Sequence, residues 1–528
     1  MKKFLLVLLW GLLTTSAINA QDNLSALVPM PNHVEQLKGK PFRFAERRTE
    51  IGYANEDVRF VAETLADIIK QRTGISVPLV SNKQAPISLT IDPMMEGEEH
   101  YRITVTNKNI MLVGSSATAL YRATMTMDQL LMGDVLATAR DEMKQICIDD
   151  APRFSRRALM LDPARHFLPI KDVKFFIDQM AKYKYNVLQL HLTDDQGWRV
   201  AINSHPRLAS KQHYTQEELR DLIQYAAERH IEIVPEVDIP GHTVAILAAY
   251  PELSCTHLKH DQVSVDKTTN RMVCAANEKS YTVLIDVINE LAKLFPSPYL
   301  HLGGDEAAVP ANWAKCDDCQ TMMHEHGYTK ATQLMIPFFD RILAAVRANG
   351  KRPILWCELN SIYYPASDYL FPYPKDVTLV TWRNGLTPTC LELTRQNGHQ
   401  IIMAPGEYTY FDYPQWKNDF PEFNNWGMPI TSLERCYELD PGYGTSPAEQ
   451  EHIQGVMGTL WAEAIPDINR ATYMAFPRAL ALAEAGWTEM SQRSWESFVI
   501  RMYPNLTDLM KCGVSVRVPY EIVKRKQK

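Results

Sequence analysis

From Arg157 onward, short apolar runs alternate with longer stretches of helical periodicity. Eight runs read as strands: Arg157–Asp162, Asn186–Leu192, Glu232–Ile239, Tyr299–Gly304, Pro353–Leu359, Thr378–Arg383, Gln400–Gly406 and Gly455–Glu463. Between several of them, Lys171–Lys182, Thr215–Arg229, Ser280–Lys293 and Thr329–Asn349 carry apolar residues at three- and four-residue spacing, as an amphipathic helix does. Strand–helix alternation implies a parallel sheet with crossover helices. Eight such units in about 300 residues fit a closed (β/α)8 TIM barrel of the α/β class. An open doubly wound sheet is the alternative, but no GxGxxG follows the first strand.

The first part of the chain has another pattern. Val58–Gln71 and Ala117–Met132 are helical in period. Ile87–Ile91 and Tyr101–Val105 alternate as half-buried strands do, and Ile110–Val113 follows an Asn107–Asn109 turn as the second arm of a hairpin. A small α+β domain with an antiparallel sheet is expected over 21–150, with no cluster of catalytic-type residues. Asp149-Asp150-Ala151-Pro152 suits a boundary, the barrel then occupying 151–505 and a C-terminal extension 506–528.

Residues 1–20 read as a cleaved signal peptide. Lys2 and Lys3 precede an apolar run from Phe4 to Leu13, shorter than the roughly 20 helical residues that span a bilayer. A small, mostly polar segment then ends at Ala20, a suitable residue for the cut. An exported protein, periplasmic or secreted, is expected, with no membrane span. Composition adds exclusions. Of 528 residues, 46% are hydrophobic and 22% charged, which excludes a disordered or fibrous chain. The net charge is −7, or −9 once Lys2 and Lys3 are removed, and the one basic run, Lys524–Lys528, reads as a solvated tail. Nucleic acid is therefore not an expected partner. Nine cysteines spread over so long a chain are not a disulfide framework. Cys316-Asp-Asp-Cys319 is a lone CxxC with no second pair at finger-like spacing, so a local disulfide or two free thiols are expected there rather than a metal site or redox pair.

The chemistry is concentrated at the strand ends. Reading each strand to its C-terminus gives Asp162 with Arg165-His166; His191, Asp194 and Asp195; Glu236, Asp238 and His242; Asp305-Glu306; Trp356 and Glu358; Trp382; Tyr410 and Asp412; Trp461 and Glu463. In this fold that face carries the active site. Carboxylates and an arginine suit vicinal hydroxyls, and indoles suit the C–H faces of sugars, so the pocket reads as a carbohydrate site. Glycosidic cleavage needs a carboxylic acid for the leaving oxygen and a group that stabilises an oxocarbenium-like centre. Gly303-Gly304-Asp305-Glu306 supplies adjacent acids whose pKa values can be pushed apart. Taken singly, Asp305-Glu306 could also be helix N-terminal charges. Arg165 could form a structural pair with Asp162, His191 and His301 read equally as site or as core and supporting groups, and Glu236 and Glu358 read as structural or supporting groups rather than substrate contacts. Trp198 reads as packing. Trp313, Trp416 and Trp426 fall on predicted loops.

Seven segments resemble glycoside hydrolase family 20 in order: Asp162-Pro-Ala-Arg165-His166-Phe167, His191-Leu-Thr-Asp194-Asp195-Gln-Gly-Trp198, Pro235-Glu-Val-Asp238-Ile-Pro-Gly241-His242, His301-Leu-Gly-Gly-Asp305-Glu306, Trp356-Cys-Glu358, Tyr410-Phe-Asp412 and Trp461-Ala-Glu463. The resemblance spans about residues 24–505. It implies an exo-acting β-N-acetylhexosaminidase, acting on carbohydrate with a terminal N-acetylhexosamine; no cofactor and no metal are expected. It implies substrate-assisted catalysis, in which the 2-acetamido oxygen attacks the anomeric carbon. Glu306 would be general acid and then base, Asp305 would orient the acetamido N–H, and Tyr410 would hold the acetamido oxygen. Trp356, Trp382 and Trp461 would wall the acetamido pocket. Arg165 would bind the 3- and 4-hydroxyls, Glu463 the 4-hydroxyl and Asp412 the 6-hydroxyl, with Asp194 and His242 supporting the acid pair. Cys357 departs from the usual Asp of a Trp-Asp-Glu motif. A family relative releasing a disaccharide, a non-catalytic sugar-binding protein and a metal-dependent hydrolase are the alternatives; the last usually wants His-x-His after strand one, where Arg165-His166 stands.

Overall fold

The computed structural model describes residues 23–45, 49–53, 55–81, 84–132, 141–256, 271–358, 371–417, 419, 428–442, 444–520 and 522; the expected signal peptide, Leu359, Trp426 and the Lys524–Lys528 tail lie outside them. Contacts divide the chain into two units, 1–151 with 494–512 and 152–493 with 513–528. No helix among the described residues is long and apolar enough to cross a membrane.

The first unit holds a seven-stranded sheet. Tyr101–Val105 pairs antiparallel with Ile110–Gly114 and with Ile146–Asp150, which pairs antiparallel with His33–Gln36. This half is the antiparallel sheet expected. The other half runs parallel: Ile110–Gly114 with Ile87–Ile91, then Ile51–Tyr53, then Leu79–Val80. The helix Arg59–Thr73 makes the crossover that parallel neighbours require. The helices Arg59–Thr73 and Ala117–Leu131 pack together. A third helix, Trp495–Lys511, also belongs to this unit, although in sequence it follows the barrel. Polar groups hold it there. Asp508 accepts from Arg72 at 2.5 Å, Arg501 donates to the Leu27 carbonyl at 2.5 Å, and Asn505 donates to the Ala26 carbonyl at 2.8 Å. A linear reading splits this helix at residue 505 because it has no long-range contacts to go by.

The second unit is a closed barrel of eight parallel strands in sequence order: β1 Arg156–Leu161, β2 Val187–His191, β3 Glu232–Glu236, β4 Tyr299–His301, β5 Arg352–Trp356, β6 Thr378–Thr381, β7 Ile401–Met403 and β8 Ile453–Leu460. It closes by a six-residue register between β1 and β8, from Arg156 opposite Gly455 to Leu161 opposite Leu460. All eight strands are those the apolar runs predict. The helices Ile170–Lys182, Gln216–Glu228, Glu278–Leu294 and Met335–Ala348 follow β1 to β4; the first three are close to their predicted spans, and the fourth starts six residues later than predicted, after a 3-10 turn at Ala331–Leu334. Gln216–Glu228 begins with a capping box between Thr215 and Glu218.

Inward-facing side chains fill the barrel: Ala158 and Met160 of β1, Val187 of β2, Val234 of β3, Ile354 and Trp356 of β5, Val380 of β6, Ile402 of β7 and Met457 of β8. Each large apolar side chain buried this way contributes about 1.5–3 kcal/mol. Trp382 and Trp461 lie at the edge of this cluster, half-buried, where the core gives way to the face carrying the strand C-termini. A packed interior leaves that face as the place for a ligand.

Candidate active site

Beneath the site is a buried polar network. Glu236, at the end of β3, is fully buried. It accepts from Gln189 and from the Trp356 indole N–H, both at 2.8 Å, and lies 3.0 Å from His191 Nδ1. His191 Nε2 in turn meets Asp194 at 2.9 Å. Burial pulls the His191 pKa down, but Glu236 and Asp194 overcome this and hold it well above its ordinary value. Burial likewise opposes ionisation of Asp194, yet Arg165 and His242 keep its carboxyl well below the usual range. Asp194 thus joins Arg165 on one side, 2.9 Å from Nη2, to His242 on the other, 3.2 Å from Nδ1. These contacts make Glu236 and His191 supporting groups that set the positions of Trp356 and His242.

The acid pair sits on backbone that has left the barrel. β4 ends at His301, and Gly303 has φ +66°. A Cβ on Gly303 would lie 1.7 Å from Asp238 Oδ1 and 2.8 Å from the Asp238 backbone, so only glycine fits. His242 and Glu306 are two of only four described non-glycine residues with positive φ, at +52° and +47°. Such conformations cost about 1–3 kcal/mol each and persist where the surroundings impose them. His242 Nε2 then stands between the two acids, 3.8 Å from Asp305 Oδ2 and 3.7 Å from Glu306 Oε2. The other side of Glu306 faces Arg383 Nη2 at 3.6 Å, which also binds Glu358 at 3.0 Å. Burial raises the Glu306 pKa; His242 and Arg383 lower it, and Asp305 raises it. Burial pushes Glu358 up to about 8 against the pull of Arg383. Asp238 is pushed well above its ordinary value by burial and by Asp305. Crowded carboxylates in a low-dielectric site cannot all ionise, and some hold protons.

Gly303→Ala should therefore lose about 2–4 kcal/mol of unfolding free energy, from overpacking and a strained φ. Denaturant unfolding measures this, and a variant as stable as the parent would contradict the contact with Asp238.

The aromatic wall is continuous with the acid pair. Trp356 and Trp461 have ring centroids 5.5 Å apart, Tyr410 lies 6.4 Å from Trp461, and the Arg383 guanidinium that reaches Glu306 lies 4.1 Å over the Trp382 ring. Tyr410 is placed by a parallel bridge to Thr459 of β8. Burial, then Tyr413 and Asp412, keep its phenol protonated by pushing its pKa well up. At the rim, Arg165 binds Asp162 at 2.8 Å and Glu463 at 3.3 Å as well as Asp194, and its guanidinium lies 5.0 Å over Trp461. The Asp162 pair foreseen as an alternative is thus present, yet a guanidinium has five N–H donors and these contacts leave some free. Asp412 is pushed well up by burial and by Glu463.

Several buried polar atoms around this space have no protein hydrogen-bond partner: Asp305 Oδ1, His242 Nε2, Trp382 Nε1, Asp412 Oδ1, Asp238 Oδ2 and Arg383 Nε. Buried polar groups are ordinarily paired, so these six atoms leave hydrogen-bonding capacity beside the acid pair that a polar ligand would satisfy.

The structure brings together Asp305, Glu306, Tyr410, Arg165, Asp194, His242, Trp356, Trp382, Asp412, Trp461 and Glu463. Trp198 is fully buried and donates to the Val200 carbonyl, and Trp313 is buried with its N–H on the Val273 carbonyl; both are packing residues. Trp416 is 41% exposed. Arg383 does not stand out in the sequence, although it adjoins Trp382; β6 ends at Thr381, which puts Arg383 on a loop of the active face. Tyr373, whose hydroxyl accepts from the Glu358 N–H at 2.8 Å, gives no sequence signal. Cys357 is buried and packs beside Cys390, with burial raising its thiol.

Comparison with known proteins gives the family. Residues 154–490 match the family model for the catalytic domain of glycosyl hydrolase family 20, and residues 24–151 match that for domain 2 of the same family. A β-hexosaminidase from Akkermansia muciniphila is 37% identical over 448 residues, covering 81% of this chain and 86% of the relative. The solved family 20 β-N-acetylhexosaminidase from Streptomyces coelicolor A3(2) superposes with a TM-score of 0.81 at 30% identity, over 95% of this chain and 99% of that one. An exo-β-N-acetylglucosaminidase from Vibrio harveyi, solved with N-acetylglucosamine, gives a TM-score of 0.80 at 29% identity, over 95% and 79%. This chain is a glycoside hydrolase, and it belongs to glycosyl hydrolase family 20.

Proposed function

We infer that this enzyme is an exo-acting β-N-acetylhexosaminidase that removes terminal β-linked N-acetylglucosamine or N-acetylgalactosamine with retention of configuration. Substrate assistance is the known departure of family 20 from the two-carboxylate scheme. The observation that carries the reading here is the acid pair Asp305-Glu306 beside an indole-walled space with unpaired buried polar atoms.

In the first step the acetamido carbonyl oxygen attacks the anomeric carbon as the glycosidic bond breaks. Glu306 gives its proton to the departing oxygen, and an oxazolinium ion remains. Asp305 takes the acetamido N–H and balances the positive charge that develops there. The Tyr410 hydroxyl donates to the acetamido oxygen and aims it, while Trp356, Trp382 and Trp461 enclose the methyl group. In the second step the Glu306 carboxylate removes a proton from water as that water attacks the anomeric carbon and reopens the ring. Arg165 and Glu463 bind the 3- and 4-hydroxyls and Asp412 the 6-hydroxyl. Asp194 and His242 keep the acid pair in place, and Arg383 helps hold Glu306. A neutral nucleophile within the substrate removes the need for a second enzymic one. On the Met1–Ala20 pattern we also place the mature enzyme outside the cytoplasm.

A panel of p-nitrophenyl β-glycosides tests the substrate class. Turnover is expected for the N-acetylglucosaminide and N-acetylgalactosaminide and not for the β-glucoside, which lacks the attacking group. Equal rates on glucoside and N-acetylglucosaminide would overturn the reading.

A further inference from the structure

The second unit contains a cysteine cluster that the hydrolytic chemistry does not use. Cys255, Cys274, Cys316 and Cys319 are all buried, and their sulfurs all lie within 4.8 Å of one another. Cys274 Sγ is 3.5 Å from Cys319 Sγ and 4.0 Å from Cys316 Sγ. Four thiolates at about 2.3 Å around a tetrahedral zinc have sulfur–sulfur edges of about 3.8 Å. The two Cys274 separations bracket that edge, and no pair exceeds it by more than 1 Å. Disulfide pairing would need two of these contacts to shorten to about 2.05 Å.

Backbone structure fixes the ligands in pairs. Cys255 and Cys274 flank the bridge between Ser254 and Val273, and the Cys274 N–H donates to the Leu253 carbonyl at 2.8 Å. Cys316 caps the helix Asp317–Glu325, and Cys319 lies in its first turn. The CxxC noted in the sequence thus has its second pair upstream, on the connection after β3.

We propose that Cys255, Cys274, Cys316 and Cys319 bind one structural zinc ion that staples the loop after β3 to the loop after β4. Four protein ligands close the coordination sphere, so the metal has no open position for water or substrate and takes no part in hydrolysis. Its effect is mechanical. Nine residues separate Glu306 from Cys316, and two hydrogen bonds already join the same loops: Met272 N–H to Asn312 Oδ1 at 3.3 Å, and the Trp313 indole to the Val273 carbonyl at 2.9 Å. The zinc holds the far end of the segment that begins with the acid pair.

Purified full-length enzyme, prepared without added metal, should contain one zinc per chain by elemental mass spectrometry. X-ray absorption should show four sulfurs at about 2.3 Å. Titration with an organomercurial should release that zinc to a chromogenic chelator as four thiols react, and should lower the melting temperature. Cys319→Ser should lose zinc. If that variant does not fold, the mercurial titration of the parent protein decides. A metal-free protein whose four cysteines map to two disulfides, a metal-free protein with four free thiols, or iron in place of zinc would each overturn the proposal.

Discussion

Glu306→Gln should leave a folded enzyme whose kcat on a chitobiose-type substrate falls by about 10²–10⁴-fold, the usual contribution of a positioned general acid and base. The amide keeps the size of the side chain and its place between His242 and Arg383, so KM should move far less than kcat. The loss should depend on the leaving group. A sugar alkoxide needs the proton, whereas p-nitrophenolate leaves without one, so the aryl glycoside should retain more of its bond-breaking rate. The pH profile supplies a second readout. Burial raises the Glu306 pKa, and the first step needs the protonated form. Activity of the parent enzyme should therefore fall as pH rises through that value, and the Glu306→Gln variant should lack this limb. An unchanged kcat, or an unchanged alkaline limb, would remove Glu306 from the role.

Asp305→Asn should lower kcat by about 10²–10³-fold, in the range seen when one preorganised electrostatic contact to a transition state is lost. The variant is nearly isosteric, so the change isolates the charge. Asp305 Oδ1 is buried without a protein partner, and Oδ2 lies 3.8 Å from His242. The side chain therefore has acceptor capacity to spare for an acetamido N–H. Without the carboxylate, the cation of the oxazolinium has no counter-charge. The loss should be in kcat on both chitobioside and aryl glycoside, because intermediate formation is affected whatever the leaving group. That pattern distinguishes Asp305 from Glu306. Equal sensitivity of the two variants to leaving-group acidity would refute the division of labour.

How much of this is legible in the sequence follows from what each feature depends on. The eight barrel strands are legible because a strand buried on both faces is apolar throughout and short. Their ends are less so. The runs ending at Asp162, Leu192, Ile239 and Gly304 outlast the ladders, which stop at Leu161, His191, Glu236 and His301. The excess residues lead into the functional ones. The chain leaves the sheet because a left-handed Gly303 and the positive φ of His242 and Glu306 turn it toward the cavity, and apolar periodicity carries no record of φ. The aromatic and acidic residues announce themselves by type and position. Arg383 does not, because a cation beside Trp382 reads as ordinary until its contact with Glu306 is seen. The parallel half of the first sheet and the return of Trp495–Lys511 depend on long-range pairing, and so do the cysteines, which meet only because consecutive barrel loops are neighbours.

In the proposed mechanism the substrate's own acetamido group is the nucleophile. An acetamido-derived thiazoline, a stable mimic of the oxazoline intermediate, tests it most directly. Competitive inhibition is expected at concentrations at least about 100-fold below those needed of N-acetylglucosamine itself, as befits a transition-state-like ligand. The inhibition should weaken in Asp305→Asn. An enzyme that turns over N-acetylglucosaminides at full rate in the presence of excess thiazoline would show that the attack comes from somewhere else.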